Sequence, residues 1–316
     1  MKRVLAVLVA VALTLATVKL ILSTVSIDTL VTSFRAARWG FLLPAFALFA
    51  TVQWIRAWRF SLITSGTAAL PDLRFVSVAF RLNFLNFVVP FRLGEFGYPI
   101  MMHREFGQKP AEALGVLVLA RIFDLSVVGA ILIGLGAWFE IFGDRIPAAL
   151  PFIVSLVLLL FPSSLILFGS SGFRLPVPAG RISRIGKELS QSIRTIKSLH
   201  MQFWTMLLTL AIWITFGLAA GLAARSVTMD VAPLAAMFGA AAGNLAFALP
   251  ATGIAGLGAS QAAWVLAVRW AGVAMEPAVI SALVNYFVTL ASALTFGILA
   301  FARQWIGRPS RKPSDI

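Results

Sequence analysis

Six apolar stretches, each close to the roughly 20 residues that carry an α-helix across the hydrocarbon layer of a bilayer, restrict what this chain can fold into. They fall at 4 to 25, 40 to 57, 113 to 138, 149 to 169, 203 to 224 and 278 to 301. At that depth no water is present to pair a free amide or carbonyl, so each stretch must satisfy its own backbone, and a helix does so within one segment. Composition agrees: 60% of the 316 residues are hydrophobic and only 12% are charged, too little charge to clothe a soluble domain of this length. The expected fold is an all-α polytopic membrane protein, a single membrane domain over 1–316, with six long spans plus two broken or re-entrant helical elements. Eight or more continuous, partly kinked spans form the alternative.

Lys and Arg number 26 against 12 for Asp and Glu, a formal net charge of +14. These charges sit between the apolar stretches, as in cytoplasmic loops, and nucleic acid is not an expected partner. Lys2 and Arg3 precede the first span, Arg56, Arg59 and Arg74 follow the second, and Arg174, Arg181, Arg184, Lys187, Arg194 and Lys197 crowd the loop before the fifth. With the basic tail from Arg303 to Lys312, this distribution puts both termini in the cytoplasm of a bacterial inner-membrane protein, while Arg35 and Arg38 fall on the outer side. Within the basic loop 170–200, Ile182, Ile185, Leu189, Ile193 and Ile196 recur at three- and four-residue steps. That spacing suits either a helix lying on the inner surface or an ordinary positively charged loop. The stretch from Val4 onward continues past Lys19 without a clean small-x-small site, so a retained first span is expected in place of a cleaved signal peptide.

No cysteine is present, and the two histidines, His103 and His200, lie in different segments. A thiolate or histidine metal site is thereby excluded as an expectation. No phosphate-binding loop, dinucleotide fingerprint or nucleophile elbow occurs, so no cofactor is expected and a transporter-like role is favoured over an enzymatic one.

Two apolar regions end in breaks. The first runs through Asn83, Pro90, Arg92, Gly94 and Glu95, then Gly107 and Pro110-Ala111; the second through Asn244, Pro250, Gly253, Gly256, Gly258 and Gln261, then Gly272 and Pro277-Ala278. An Asn, a Pro six or seven residues later, a glycine-containing turn and a later Gly and Pro-Ala recur in the same order. The halves 1–138 and 149–302 then read as inverted repeats whose broken elements enter from opposite faces, a sequence hint of a transporter-type site. Pro and Gly interrupt the helical ladder, and the freed backbone groups must line a polar cavity or be capped by protein. Asn83 and Asn244 either fasten that backbone or meet substrate.

Arg121 and Asp124 lie three apart within the third span and share a helix face. An unpaired charge at mid-bilayer costs about 2.5–3.5 kcal/mol on insertion scales, so the two are expected to pair, as a packing lock or as an anion-binding site. Glu95 beside Arg92 is the best substrate-contact candidate, with a turn-stabilising cap as its alternative. Arg81 is expected to face the same cavity or to snorkel inward. The second break offers only Thr252, Ser260 and Gln261, and Asn285-Tyr286 reads as an interhelical hydrogen-bonding pair.

The run from Asn83 to Glu95, followed by Gly107, Pro110-Ala111 and Arg121-Ile-Phe-Asp124, resembles the flippase-like family that includes the transmembrane region of lysylphosphatidylglycerol synthases, over about 4 to 302. The resemblance implies movement or presentation of a lipid or lipid-linked substrate, anionic or isoprenoid-type, without lysyl transfer. Membrane lipids and envelope-lipid pathway proteins are the implied partners. It places the family's first motif on Asn83, Pro90, Arg92, Gly94 and Glu95 and its helical pair on Arg121 and Asp124. The family's second motif, a Gly-rich turn followed by Glu, departs here to Gln261. An integral-membrane transferase with Glu95 or Asp124 as base, and a non-catalytic envelope assembly factor, are the alternatives.

Overall fold

The computed structural model describes Thr14, Lys19 and residues 23–143, 146–147, 149–170, 198–248 and 257–306, with backbone only at 90–92, 167–170 and 304–306. The first expected span, the basic loop 170–200 and its expected surface helix, and Pro250, Gly253 and Gly256 of the second break lie wholly or mostly outside the described residues. Among the described residues every regular element is helical. In chain order they are α1 (Ile27–Arg35), α2 (Trp39–Ser65), α3 (Leu73–Val88), a 3₁₀ turn (Pro90–Phe96), α4 (Gly97–Phe106) and α5 (Pro110–Trp138). Then come α6 (Ala149–Ser170), α7 (Leu199–Val227), α8 (Pro233–Phe247), α9 (Ala259–Trp270) and α10 (Met275–Ile306).

Five of these helices, α2, α5, α6, α7 and α10, are long and apolar enough to cross a membrane. They coincide with five of the six stretches read from the sequence. Their ends carry the local signals that stop and start helices. Ser198 caps α7 by accepting from the Met201 amide, and Pro110 and Pro233 open α5 and α8, where a missing N–H costs nothing. Asp72 caps α3 through the Arg74 amide at 2.9 Å, and its hydrogen bonds with Arg74, outside the apolar spans, hold the carboxyl below its usual range. Gly66 ends α2 in the left-handed conformation at φ 69°, which only glycine adopts without steric cost.

The second span is longer than its hydropathy. α2 does not stop near residue 57 but runs on to Ser65, which carries Arg56 and Arg59 into the protein instead of leaving them in a basic loop. Arg59 is 1% exposed. The apolar average falls at these arginines, but the helix continues, and the Arg59 charge is met by Asp124 of α5.

Several buried clusters form, and some cross the whole body, as where Val52 of α2, Val127 of α5 and Ile212 of α7 meet. One gathers Phe60, Phe75, Leu82, Met102, Leu119 and Phe123 from α2 to α5; another gathers Ala220, Ala236, Ala240, Trp264, Val268 and Ala282 from α7 to α10. Close packing of α2 on α7 joins them. Small residues bring the second set together: a Cβ on Gly239 would stand 2.8 Å from Val268 Cγ1, and one on Gly217 2.9 Å from Met237 Cγ. In an apolar solvent, such close approach supplies the contact energy that hydrophobic burial cannot. α6 packs on α5 and presents Phe152, Ile153, Leu156, Val157 and Leu160 outward, as a lipid-facing helix must.

Candidate functional site

The first break is shorter than its sequence suggests. Asn83 lies inside α3, which stays helical to Val88, and Pro90–Phe96 then forms a single 3₁₀ turn leading directly into α4. Gly94 lets this turn lie against α3, since a Cβ there would stand 2.5 Å from the Leu85 carbonyl carbon and 2.7 Å from the Asn86 nitrogen. Glu95 is carried on the turn; the side chains of Pro90 and Arg92 lie outside the described residues.

Glu95 Oε1 accepts from Arg121 Nη2 at 2.5 Å, and Arg121 Nη1 donates to Asp124 Oδ2 at 3.2 Å. Asp124, halfway along the 29-residue α5, also takes both ends of the Arg59 guanidinium, at 2.6 Å and 3.0 Å. Trp213 Nε1 donates to Asp124 Oδ1 at 3.3 Å, and Arg59 Nη1 donates to Thr209 Oγ1 at 3.0 Å. Four elements, α2, the 3₁₀ turn, α5 and α7, are thus tied by one chain of charge. The expectation that Arg121 pairs with Asp124 holds, but the shorter, two-pronged contact to Asp124 comes from Arg59. A fork-to-fork guanidinium–carboxylate pair supplies two parallel charge-assisted bonds, and burial makes each partner depend on the other.

Next to this chain lie two adjoining cavities. The larger contains about 850 Å³ of space not filled by atoms, counting its mouth. Gln53, Asn83, Asn86, Asn244, Gln261 and Asn285 contribute carboxamides to its wall, and Trp264, Phe87 and Phe216 are among its aromatic residues. The smaller, of about 310 Å³, shares Gln53, Arg56, Asn83 and Asn86 with the larger and adds Arg59 and Arg121. The two asparagines that precede the breaks, 161 positions apart in the sequence, therefore face one chamber. Gln261 occupies the place of the expected acid. Its Oε1 accepts from the Gly258 amide at 2.7 Å, where Gly258 has φ 144°, so this amide caps α9 while it lines the cavity. Asn285 and Tyr286, read as an interhelical pair, both line the larger cavity.

Arg81 turns elsewhere. It lines neither cavity; Nη2 donates to Glu105 Oε1 of α4 at 2.8 Å, and its guanidinium lies 5.7 Å from the Phe301 ring centre. The cavity-facing role expected of it is thereby replaced by a pairing role between α3, α4 and α10. Glu105→Gln is accordingly expected to lower stability in detergent by about 1–3 kcal/mol. Sodium dodecyl sulfate titration of the purified protein checks this expectation.

Sequence reading missed Gln53, Arg56, Arg59 and Asn86. One signal was available: Gln53, Arg56 and Arg59 recur every three residues and so fall along one helical face. Among the described residues no group of His, Cys, Asp and Glu is arranged to hold a metal ion. In comparisons with known proteins, a family model described as the lysylphosphatidylglycerol synthase TM region matches residues 4–297. No curated protein matches the chain.

Proposed function

Since this chain belongs to the lysylphosphatidylglycerol synthase transmembrane-region family, we propose that it carries the head group of a lipid or lipid-linked substrate from one leaflet of its membrane to the other. The observation that carries this reading is the polar double cavity inside a lipid-facing helical body. A carboxamide-walled chamber and a guanidinium-lined one share Gln53, Arg56, Asn83 and Asn86. Lipid tails gain nothing from such a lining, whereas a head group crossing the bilayer needs its lost water replaced by hydrogen-bonding groups.

The smaller chamber suits an anionic group. Arg56, Arg59 and Arg121 border it, against the carboxylates of Asp124 and Glu95 that hold Arg59 and Arg121 in place. Glu95 is the member that can move, because it rides on a short turn and not on a long helix. Release of Arg121 by Glu95 would free a guanidinium for phosphate, and its return would expel the phosphate. The sequence-level symmetry supports two inverted halves working around the chamber. We place six spans, including 4 to 25, in a bacterial inner membrane with both termini in the cytoplasm, on the distribution of Lys and Arg. Envelope-lipid pathway proteins are the partners this reading implies, and no catalytic step is assigned.

Purified protein reconstituted into vesicles is expected to move head-group-labelled phosphatidylglycerol between leaflets at least about tenfold faster than protein-free vesicles, with Glu95→Gln returning the rate toward the background. Equal rates with and without protein would overturn the reading. A change in the lipid's mass during the incubation would establish a transferase instead.

A further inference from the structure

The larger chamber selects by hydrogen-bond polarity. Two hydroxyl hydrogens of its wall are directed away from it: Ser260 donates to the Gly243 carbonyl at 2.9 Å and Thr289 to the Asn285 carbonyl at 2.7 Å. Their oxygens keep lone pairs to offer. Asn86 Oδ1 and Asn285 Oδ1 are buried acceptors without a hydrogen-bond donor among the described residues, an arrangement that costs free energy until a donor arrives. These two orphaned oxygens ask for a ligand that brings O–H or N–H donors, and a phosphodiester, which only accepts, does not meet that need.

Charge decides between the two kinds of donor. An ammonium group would meet the like charge of Arg56, with no Asp or Glu among the residues lining this chamber to offset it. Hydroxyl groups carry donors without charge, and each hydroxyl can return a lone pair to a carboxamide N–H, so an amide can engage two neighbouring hydroxyls at once. Trp264 and the phenylalanine rings add apolar faces against which the C–H side of a polyol or sugar ring can lie. The smaller chamber, with three guanidiniums against two carboxylates, stands one shared wall away.

We infer that the carboxamide chamber binds a polyhydroxylated head group, neutral or joined through a single phosphate, and discriminates against ammonium-bearing head groups. This rests on the proposed transfer of a lipid head group and names the chemical class that the same site accepts.

The test uses the full chain in detergent micelles and calorimetric titration with four dihexanoyl lipids: phosphatidylglycerol, monoglucosyl diacylglycerol, phosphatidylpropanol and phosphatidylethanolamine. Phosphatidylpropanol keeps the phosphodiester charge of phosphatidylglycerol and lacks its hydroxyls. At least one of the two hydroxylated lipids is expected to bind about tenfold or more tightly than phosphatidylpropanol and phosphatidylethanolamine. The tighter of the two tells a glycerol source from a sugar source. Asn285→Leu, at a position that lines the larger chamber and not the smaller one, should reduce that preference to about twofold while leaving the phosphatidylpropanol affinity in place. Equal affinity for phosphatidylpropanol and both hydroxylated lipids, or tightest binding of phosphatidylethanolamine, overturns the inference. Longer-chain forms of the same lipids in vesicles separate it from the translocation reading. Indiscriminate movement of all four would leave translocation standing and sink the selectivity. Selective binding without movement would do the reverse.

Discussion

Asp124→Ala is expected to destabilise the protein by about 3–5 kcal/mol, because it strands a guanidinium in the interior with its carboxylate removed. Arg59 and Asp124 have side chains 1% and 6% exposed, so water cannot take the carboxylate's place. Trp213 Nε1 loses its acceptor as well, and Arg121 keeps only the Glu95 end of its bridge. Unfolding of the detergent-solubilised protein by sodium dodecyl sulfate, followed by tryptophan fluorescence, measures the loss. The informative comparison is the double variant Arg59→Met with Asp124→Leu, which removes both charges and fills similar volume. It should recover most of the lost stability, since an apolar replacement of a complete buried pair is often neutral or favourable. If the double variant is as unstable as the single one, the cost lies in packing at α5 and not in the stranded charge.

Gly94→Ala is expected to slow lipid movement sharply, for the cost of one methyl group. The added Cβ meets the backbone of Leu85 and Asn86, at 2.5 Å to the nearer carbonyl carbon. A helix interior cannot yield there as a side chain would. The 3₁₀ turn must therefore lift from α3, and with it Glu95 leaves its place against Arg121. A stability loss of about 1–3 kcal/mol is expected from the overpacking, together with a fall in head-group movement of roughly tenfold or more, because the carboxylate is displaced from its partner. Gly40→Ala supplies the control: nothing lies within 4 Å of its added Cβ, so both readings should stay within the scatter of the parent protein. Unchanged transport in Gly94→Ala, measured in the vesicle assay, would show that the position of the turn does not govern the site.

The residues behind these two predictions were legible to different degrees. Glu95, Gly94, Arg121 and Asp124 stand out in the sequence because a charge or a Pro-Gly break inside an apolar run demands an explanation. Asn83 and Asn244 stand out through their repeated distance from a proline. Arg59 was hidden by its own effect on hydropathy: it lowers the local average, makes the span look finished near residue 57 and so passes for a loop residue. Arg81 was misleading for the converse reason. A charge within an apolar run points to a cavity only when no partner waits on a neighbouring helix, and Glu105 of α4 provides one.

By itself the sequence determined that the described residues are helical, that five long spans lie near where the apolar stretches put them, and that breaks follow α3 and α8. Each of these follows from a local requirement: a segment in hydrocarbon must close its own hydrogen bonds, and Pro and Gly prevent it from doing so at fixed places. Tertiary structure alone decided which polar groups meet. Whether Asp124 takes Arg59 across to α2, and whether Asn83 and Asn244 share one chamber, depends on the rotation and height of one helix relative to another. Side-chain periodicity specifies the face of a helix but not the partner set against it, and here the close packing of α2 on α7 brings those faces into register.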